Sequence, residues 1–272
     1  MHISKKQQFT KMPTKEKLVN KIKRATIFHT LQMIKVIFAS KSITTMYESL
    51  MCLPYFQGMS KDEITAILDK VKLVFNRHAD GERIAVQGSP CNSLTLLVRG
   101  KLTSKCVAPD GRYTLTEELT TPFAFEPYSL FGLSPTYRSS YFANGECDTL
   151  TIEKSYLFNE LSRYNIFIMN LMNLLCQRAQ LKNAQIWNAR QLPLPEKIVE
   201  FIAIRSESQE GCKTLQIKMD DLADILGETR INVSRALNLL QKNGLIELRR
   251  KEIHIPSFKQ LAAFKVATEK EQ

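Results

Sequence analysis

The chain has 272 residues, 44 % of them hydrophobic, enough for two domains that each bury a core. Its formal charge of +11 is uneven: residues 1–45 carry ten lysines and arginines against one acid, Glu16, which leaves only +2 for the rest, so local charge is the better guide to nucleic-acid binding. Six cysteines without a C-x-x-C pair and four histidines without a close partner offer no zinc, haem or iron–sulfur site, and no apolar run reaches bilayer-spanning length.

In the first 45 residues, Leu18, Ile22, Ala25, Phe28, Leu31, Ile34 and Phe38 recur at steps of three and four, which fits a basic amphipathic helix. The plainer reading, and the preferred one, is a disordered tail or a start placed ahead of a natural one at Met46. No small-residue cleavage site follows this stretch, so a signal peptide is not expected.

A short helical lead follows (Leu50, Leu53, Phe56, Ile64, Ile67, Leu68, Val71), and then turn signals at close spacing. Asp80-Gly81, Gly88-Ser89-Pro90, Arg99-Gly100 and Pro109-Asp110-Gly111 punctuate strands at 83–86, 94–98, 101–107 and 113–118, with 141–152 as the closing strand. Short strands with regular turns predict a small β-roll.

A long helix is expected over 155–191. Ile166, Phe167, Ile168, Met169, Leu171, Met172, Leu174 and Leu175 make it apolar on nearly every face, so it needs cover on two sides. The roll supplies one, and a second copy of the helix supplies the other, which predicts a homodimer; the competing reading is burial in one large monomeric core. Pro193 and Pro195 end this helix at a hinge, and Pro195 suits the first turn of the next, 196–205.

The most specific pattern is DLADILGETRINVSRALNLL at 221–240. Counting Met219 as first, Ala223 is fifth, Gly227 ninth and Val233 fifteenth. A helix-turn-helix needs a small residue where its helices cross, a positive φ at the turn and an apolar plug in the second helix. Thr229 is the expected N-cap of that second helix, and Val233, Ala236, Leu237 and Leu240 form its buried stripe. Arg230, Ile231, Ser234, Arg235 and Asn238 are left facing outward, with no acid between Thr229 and Lys242. A B-form major groove accepts such a helix, and arginine binds guanine O6 and N7 with two hydrogen bonds. Beyond it, apolar strands at 245–248 and 253–255 flank Arg249, Arg250 and Lys251, a wing whose cations suit flanking phosphates.

In this order, roll, long helix, proline hinge and winged helix-turn-helix, the chain resembles the Crp/Fnr superfamily of bacterial transcription regulators over about 46–264. The resemblance implies an α+β chain. An N-terminal extension at 1–45 precedes a β-roll effector-type domain of cyclic-nucleotide-binding-like form at 46–154. A dimerisation helix at 155–191 then leads to a winged helix-turn-helix DNA-binding domain at 192–272. It also implies a cytoplasmic, non-enzymatic homodimer reading a palindromic site on double-stranded DNA, with RNA polymerase as a further partner and no membrane association. The DNA-binding set would be Thr229, Arg230, Ile231, Ser234, Arg235, Asn238 and Lys242, with Arg249, Arg250 and Lys251 of the wing.

Two departures qualify the resemblance. Many members carry a glutamate where this chain has Ile231, which points to apolar contact with a thymine methyl and a different target sequence. In the roll, Arg138, Ser139 and Ser140 are the effector-binding candidates, but Phe131-Gly132 is followed by Leu133 rather than the ribose-binding acid. Lys182 and Asn183 stand where a purine-contacting Thr-Ser would be expected. A cyclic nucleotide is therefore disfavoured, and another small anion or no ligand at all stay open, as does Arg138 paired with an acid such as Glu126. The alternative function is a small-anion sensor whose C-terminal domain docks protein; no nucleophile–base pair, phosphate loop or carboxylate pair points to an enzyme.

Overall fold

The structure is a computed structural model that describes Glu48 and residues 50–188 and 192–265. The expected helix or tail in 1–45 lies outside the described residues, as does the end of the long helix at 189–191. The chain divides into two compact units, Met1–Leu50 and Met51–Gln272, and everything that follows lies within the second.

Helix α1 (Lys61–Lys70) opens on a capping box: Glu63 N donates to Ser60 Oγ at 3.2 Å, and Ser60 N donates to Glu63 Oε2 at 2.8 Å. The roll follows as β1 (Leu73–His78), β2 (Arg83–Ala85), β3 (Ser93–Val107), β4 (Tyr113–Thr120), β5 (Phe123–Ala124) and β6 (Ser140–Glu153). Strand β6 lies antiparallel between β1 and β3, β4 pairs on the far side of β3, and β2 and β5 attach to β6 and β3. Leu94, Leu96, Leu102, Tyr141, Leu150 and Ile152 alternate inward to form its core.

Three local features depart from the sequence expectation. Residues 93–107 form one strand, not two: at Gly100 the register against β6 steps, φ is 93°, and a Cβ would stand 2.6 Å from Glu146 O. The Arg99-Gly100 pair is thus a bulge that bends β3, not a turn that ends it. The helix expected from 155 is broken, with α2 (Lys154–Asn159), a 3₁₀ turn at Leu161–Arg163, and the long helix α3 (Asn165–Asn188). Ser162 Oγ donates to Phe158 O and Tyr164 is extended, so a side chain competes for a helical carbonyl at the break. Strand β1 carries no strand signal in the sequence because LVFNRH alternates poorly and is half exposed.

The third part comprises α4 (Leu194–Arg205), β7 (Lys213–Ile217), α5 (Met219–Leu226), α6 (Arg230–Lys242), β8 (Glu247–Arg249), β9 (Glu252–Ile255) and α7 (Phe258–Ala262). Its core gathers Ile198, Ile202, Leu222, Val233, Leu237, Leu240, Ile253 and Phe258, together with Leu115 from the roll's β4. That sharing has a backbone cause. Strand β7 pairs antiparallel with β4 on one edge, matching Tyr113 to Ile217, Leu115 to Leu215 and Glu117 to Lys213, and with β9 on the other. One sheet of nine strands therefore runs from the roll into the wing. No helix among the described residues is long and apolar enough to cross a membrane.

Candidate nucleic-acid interface

The helix-turn-helix is built as its spacing requires. Gly227 ends α5 in the left-handed region at φ 65°, and Thr229 Oγ1 accepts from Asn232 N at 3.2 Å to start α6. Ala223 is buried at the helix crossing, and Val233, Ala236, Leu237 and Leu240 point into the core. Burying that stripe fixes the rotation of α6 and leaves Arg230, Ile231, Arg235, Asn238 and Lys242 exposed, with Ser234 half-buried at the edge. Ile231 stands 64 % exposed, an apolar side chain on an otherwise polar face.

The cations of this surface differ in how far they are committed. Arg230 reaches Asp220 across the turn at 3.4 Å in an ion pair exposed on both sides, an interaction of about 0–1 kcal/mol that yields readily to a competing ligand. Arg235 and Lys242 have no polar side-chain partner among the described residues. In the wing, Arg249 is held by Glu247 at 3.0 Å and Glu252 at 3.5 Å, whereas Arg250 and Lys251 have no such acids among the described residues. Lys251 adopts φ 59° at the tip, where its carbonyl accepts from Ile217 N at 3.0 Å and ties the wing to β7.

Between α6 and the wing lies a cleft of about 290 Å³, whose charged lining is Lys218, Arg230, Arg249 and Lys251 with Asp220 and Glu252. Lys218 escaped the sequence reading. It precedes α5, and the only signal for it was a lysine just before Met219, the first position of the motif.

The effector candidates are placed differently from the DNA candidates. Ser139 is buried, Arg138 N and Ser139 N both donate to the Glu126 carboxylate at 2.7 and 2.9 Å, and Ser140 Oγ accepts from Gln87 N at 3.0 Å. The pairing with Glu126 thus runs through the Arg138 backbone, not its guanidinium. Lys182 caps α4: its Nζ donates to the carbonyls of Ala203, Ile204 and Ser206 at 3.1, 2.6 and 3.1 Å, and burial pulls it down to about 8. Beside it, Arg178 binds Glu207 at 2.8 Å and lies 4.2 Å over the Tyr128 ring, while the Tyr128 hydroxyl donates to Glu207 Oε1 at 2.6 Å. Glu207 therefore receives the roll, the long helix and, through its own amide on Glu117 Oε1 at 2.9 Å, the shared sheet. Among the described residues no group of three or more His, Cys, Asp or Glu could hold a metal ion.

Residues 196–264 match the model of the Crp-like helix-turn-helix domain. Over 214 residues the chain is 25 % identical to the CRP-like cAMP-activated global transcriptional regulator of Mycobacterium tuberculosis, covering 76 % of this chain and 94 % of that one. Among solved structures, the catabolite activator protein of Thermus thermophilus aligns with a TM-score of 0.44 at 20 % identity, over 77 % of this chain and 98 % of that chain. The c-di-GMP responsive global regulator CLP of Xanthomonas campestris aligns with a TM-score of 0.42 at 18 % identity, over 72 % and 99 %.

Proposed function

We propose that this chain, whose residues 196–264 match the Crp-like helix-turn-helix domain, is a transcriptional regulator of the Crp/Fnr superfamily that reads a palindromic duplex site as a homodimer. The observation that carries this is the outer face of α6, where Arg230, Ile231, Arg235 and Asn238 are exposed while the opposite stripe is locked in the core. Arg235 reads guanine, Ile231 packs on a thymine methyl, and Thr229 and Ser234 position the backbone. Lys242, Arg249, Arg250, Lys251 and Lys218 hold phosphates.

The dimer face is α3. Met169, Met172, Leu181 and Ile186 are each more than half exposed along it, apolar area that water does not favour and a second copy would help to cover. Two-fold pairing then sets two α6 helices about one helical turn of DNA apart. The cytoplasm and RNA polymerase are the compartment and further partner that go with this reading, and the domain limits 46–154, 155–191 and 192–272 are its working divisions.

Selection of bound duplexes from random DNA tests it. The expected product is an inverted repeat with half-sites about 10 base pairs apart, centre to centre. Recovery of no sequence preference overturns the reading.

A further inference from the structure

Glu126 combines two costs that a chain accepts only where something is gained. It is wholly buried, with no salt bridge to it among the described residues, and its backbone sits in the left-handed region at φ 42°, which disfavours any residue with a Cβ. Four neutral donors converge on it. Oε2 accepts from Arg138 N at 2.7 Å and Ser129 Oγ at 2.9 Å, and Oε1 accepts from Ser139 N at 2.9 Å and Tyr141 OH at 3.1 Å. Two successive amides with two hydroxyls around one pair of oxygens form an anion cradle.

The residue after next, Tyr128, gives the cradle a reach beyond the roll. The 3₁₀ turn Pro127–Ser129 begins at Glu126, and its Tyr128 hydroxyl holds Glu207, which follows α4 and binds Arg178 of α3 and the β4–β7 seam through Glu117. Freeing the carboxylate removes the pin that sets this turn. Arg138, whose amide forms one wall of the cradle, also lines an open cleft of about 460 Å³ with Tyr128, Arg178 and Lys182.

We propose that Glu126 is a built-in ligand: its carboxylate fills the roll's anion cradle and keeps the β4–β7 seam closed without a diffusible effector. The seam's consequence for DNA rests on the regulator reading; the occupancy itself does not. Glu126→Gly removes the carboxylate and relieves the backbone. In that variant, amide hydrogen exchange in β7 should speed about tenfold or more, and added formate or acetate, but not chloride, should restore protection. Wild type should ignore all three anions and cyclic AMP. Should Glu126→Gly not fold, Tyr128→Phe keeps the cradle filled and cuts the link to Glu207, so β7 exchange should speed while the amides of Arg138 and Ser139 stay protected.

Unchanged β7 exchange in both variants, carboxylate failing to rescue a folded Glu126→Gly, or an anion further protecting the wild-type cradle each overturn the proposal. Hydrogen exchange needs no DNA, so failure of duplex binding by wild type would count against the regulator reading and not against this one.

Discussion

Lys213 and Glu117 face each other directly across the β4–β7 seam, Nζ to Oε2 at 2.5 Å, with both side chains sealed from water. Glu117 sits on a strand of the roll and Lys213 on the first strand of the DNA-reading half. Burial pushes the Glu117 carboxyl up, and Lys213 with the Glu207 amide pulls it back, so each partner makes the other's burial tolerable.

Removing one partner should therefore cost far more than removing both. Lys213→Met leaves a carboxylate buried on the Glu207 amide alone, and a loss of about 3–5 kcal/mol is expected. The double change Glu117→Met with Lys213→Met should recover most of it. Urea unfolding of the two variants checks the difference; equal losses would show that the pair is not coupled.

Gly211 lies just before β7 at φ 79°, and a Cβ there would stand 2.7 Å from Glu118 O on the roll side of the seam. Gly145 has a similar φ of 76° but open space around it. Both Gly→Ala changes carry backbone strain of about 1–3 kcal/mol, but only Gly211→Ala must also displace a strand. Gly211→Ala should melt lower than Gly145→Ala and should expose β7 amides to exchange.

Asp148 lies between Arg99, at 2.6 Å, and Arg77, at 3.4 Å, and the Arg99 hydrogen bond foremost holds its carboxyl below the usual range. A lowered folded-state value means stability that is present above the ordinary carboxylate value and lost as pH falls through the lowered one. Asp148→Asn should flatten the acid limb of stability against pH. An unaltered limb would mean the pair contributes nothing.

How much of this was legible in the chain depends on whether a feature is local. The turn at Gly227, the cap at Thr229 and the buried stripe of α6 follow from spacing within one segment, and the structure has them where the spacing put them. The basic wing tip at 249–251 was readable for the same reason. Strand β7 was not, because KTLQI gains its role from β4, a hundred residues earlier, and nothing nearby announces that pairing. Gly100 looked like a turn because sequence does not distinguish a bulge from one. Glu126 was visible only as an acid near Arg138; that it serves two backbone amides depends on a fold-level approach of 126 to 138–139.

Arg235 and Lys251 test the proposed division between base reading and phosphate holding. Arg235→Ala should lose about 1–3 kcal/mol on the selected duplex and relax preference at one base pair. Lys251→Ala should weaken every duplex alike and lower the salt slope by about one unit. Identical behaviour of the two on selected and random duplex would contradict the division of roles.

The most direct measurement is a titration of wild-type protein, without added effector, against the selected duplex and a scrambled one over a range of salt. Binding to the selected duplex should be tighter by about 10³-fold or more, with log K falling linearly in log salt for both. Equal affinity for the two duplexes, or no binding to either, would contradict an α6 surface that reads sequence.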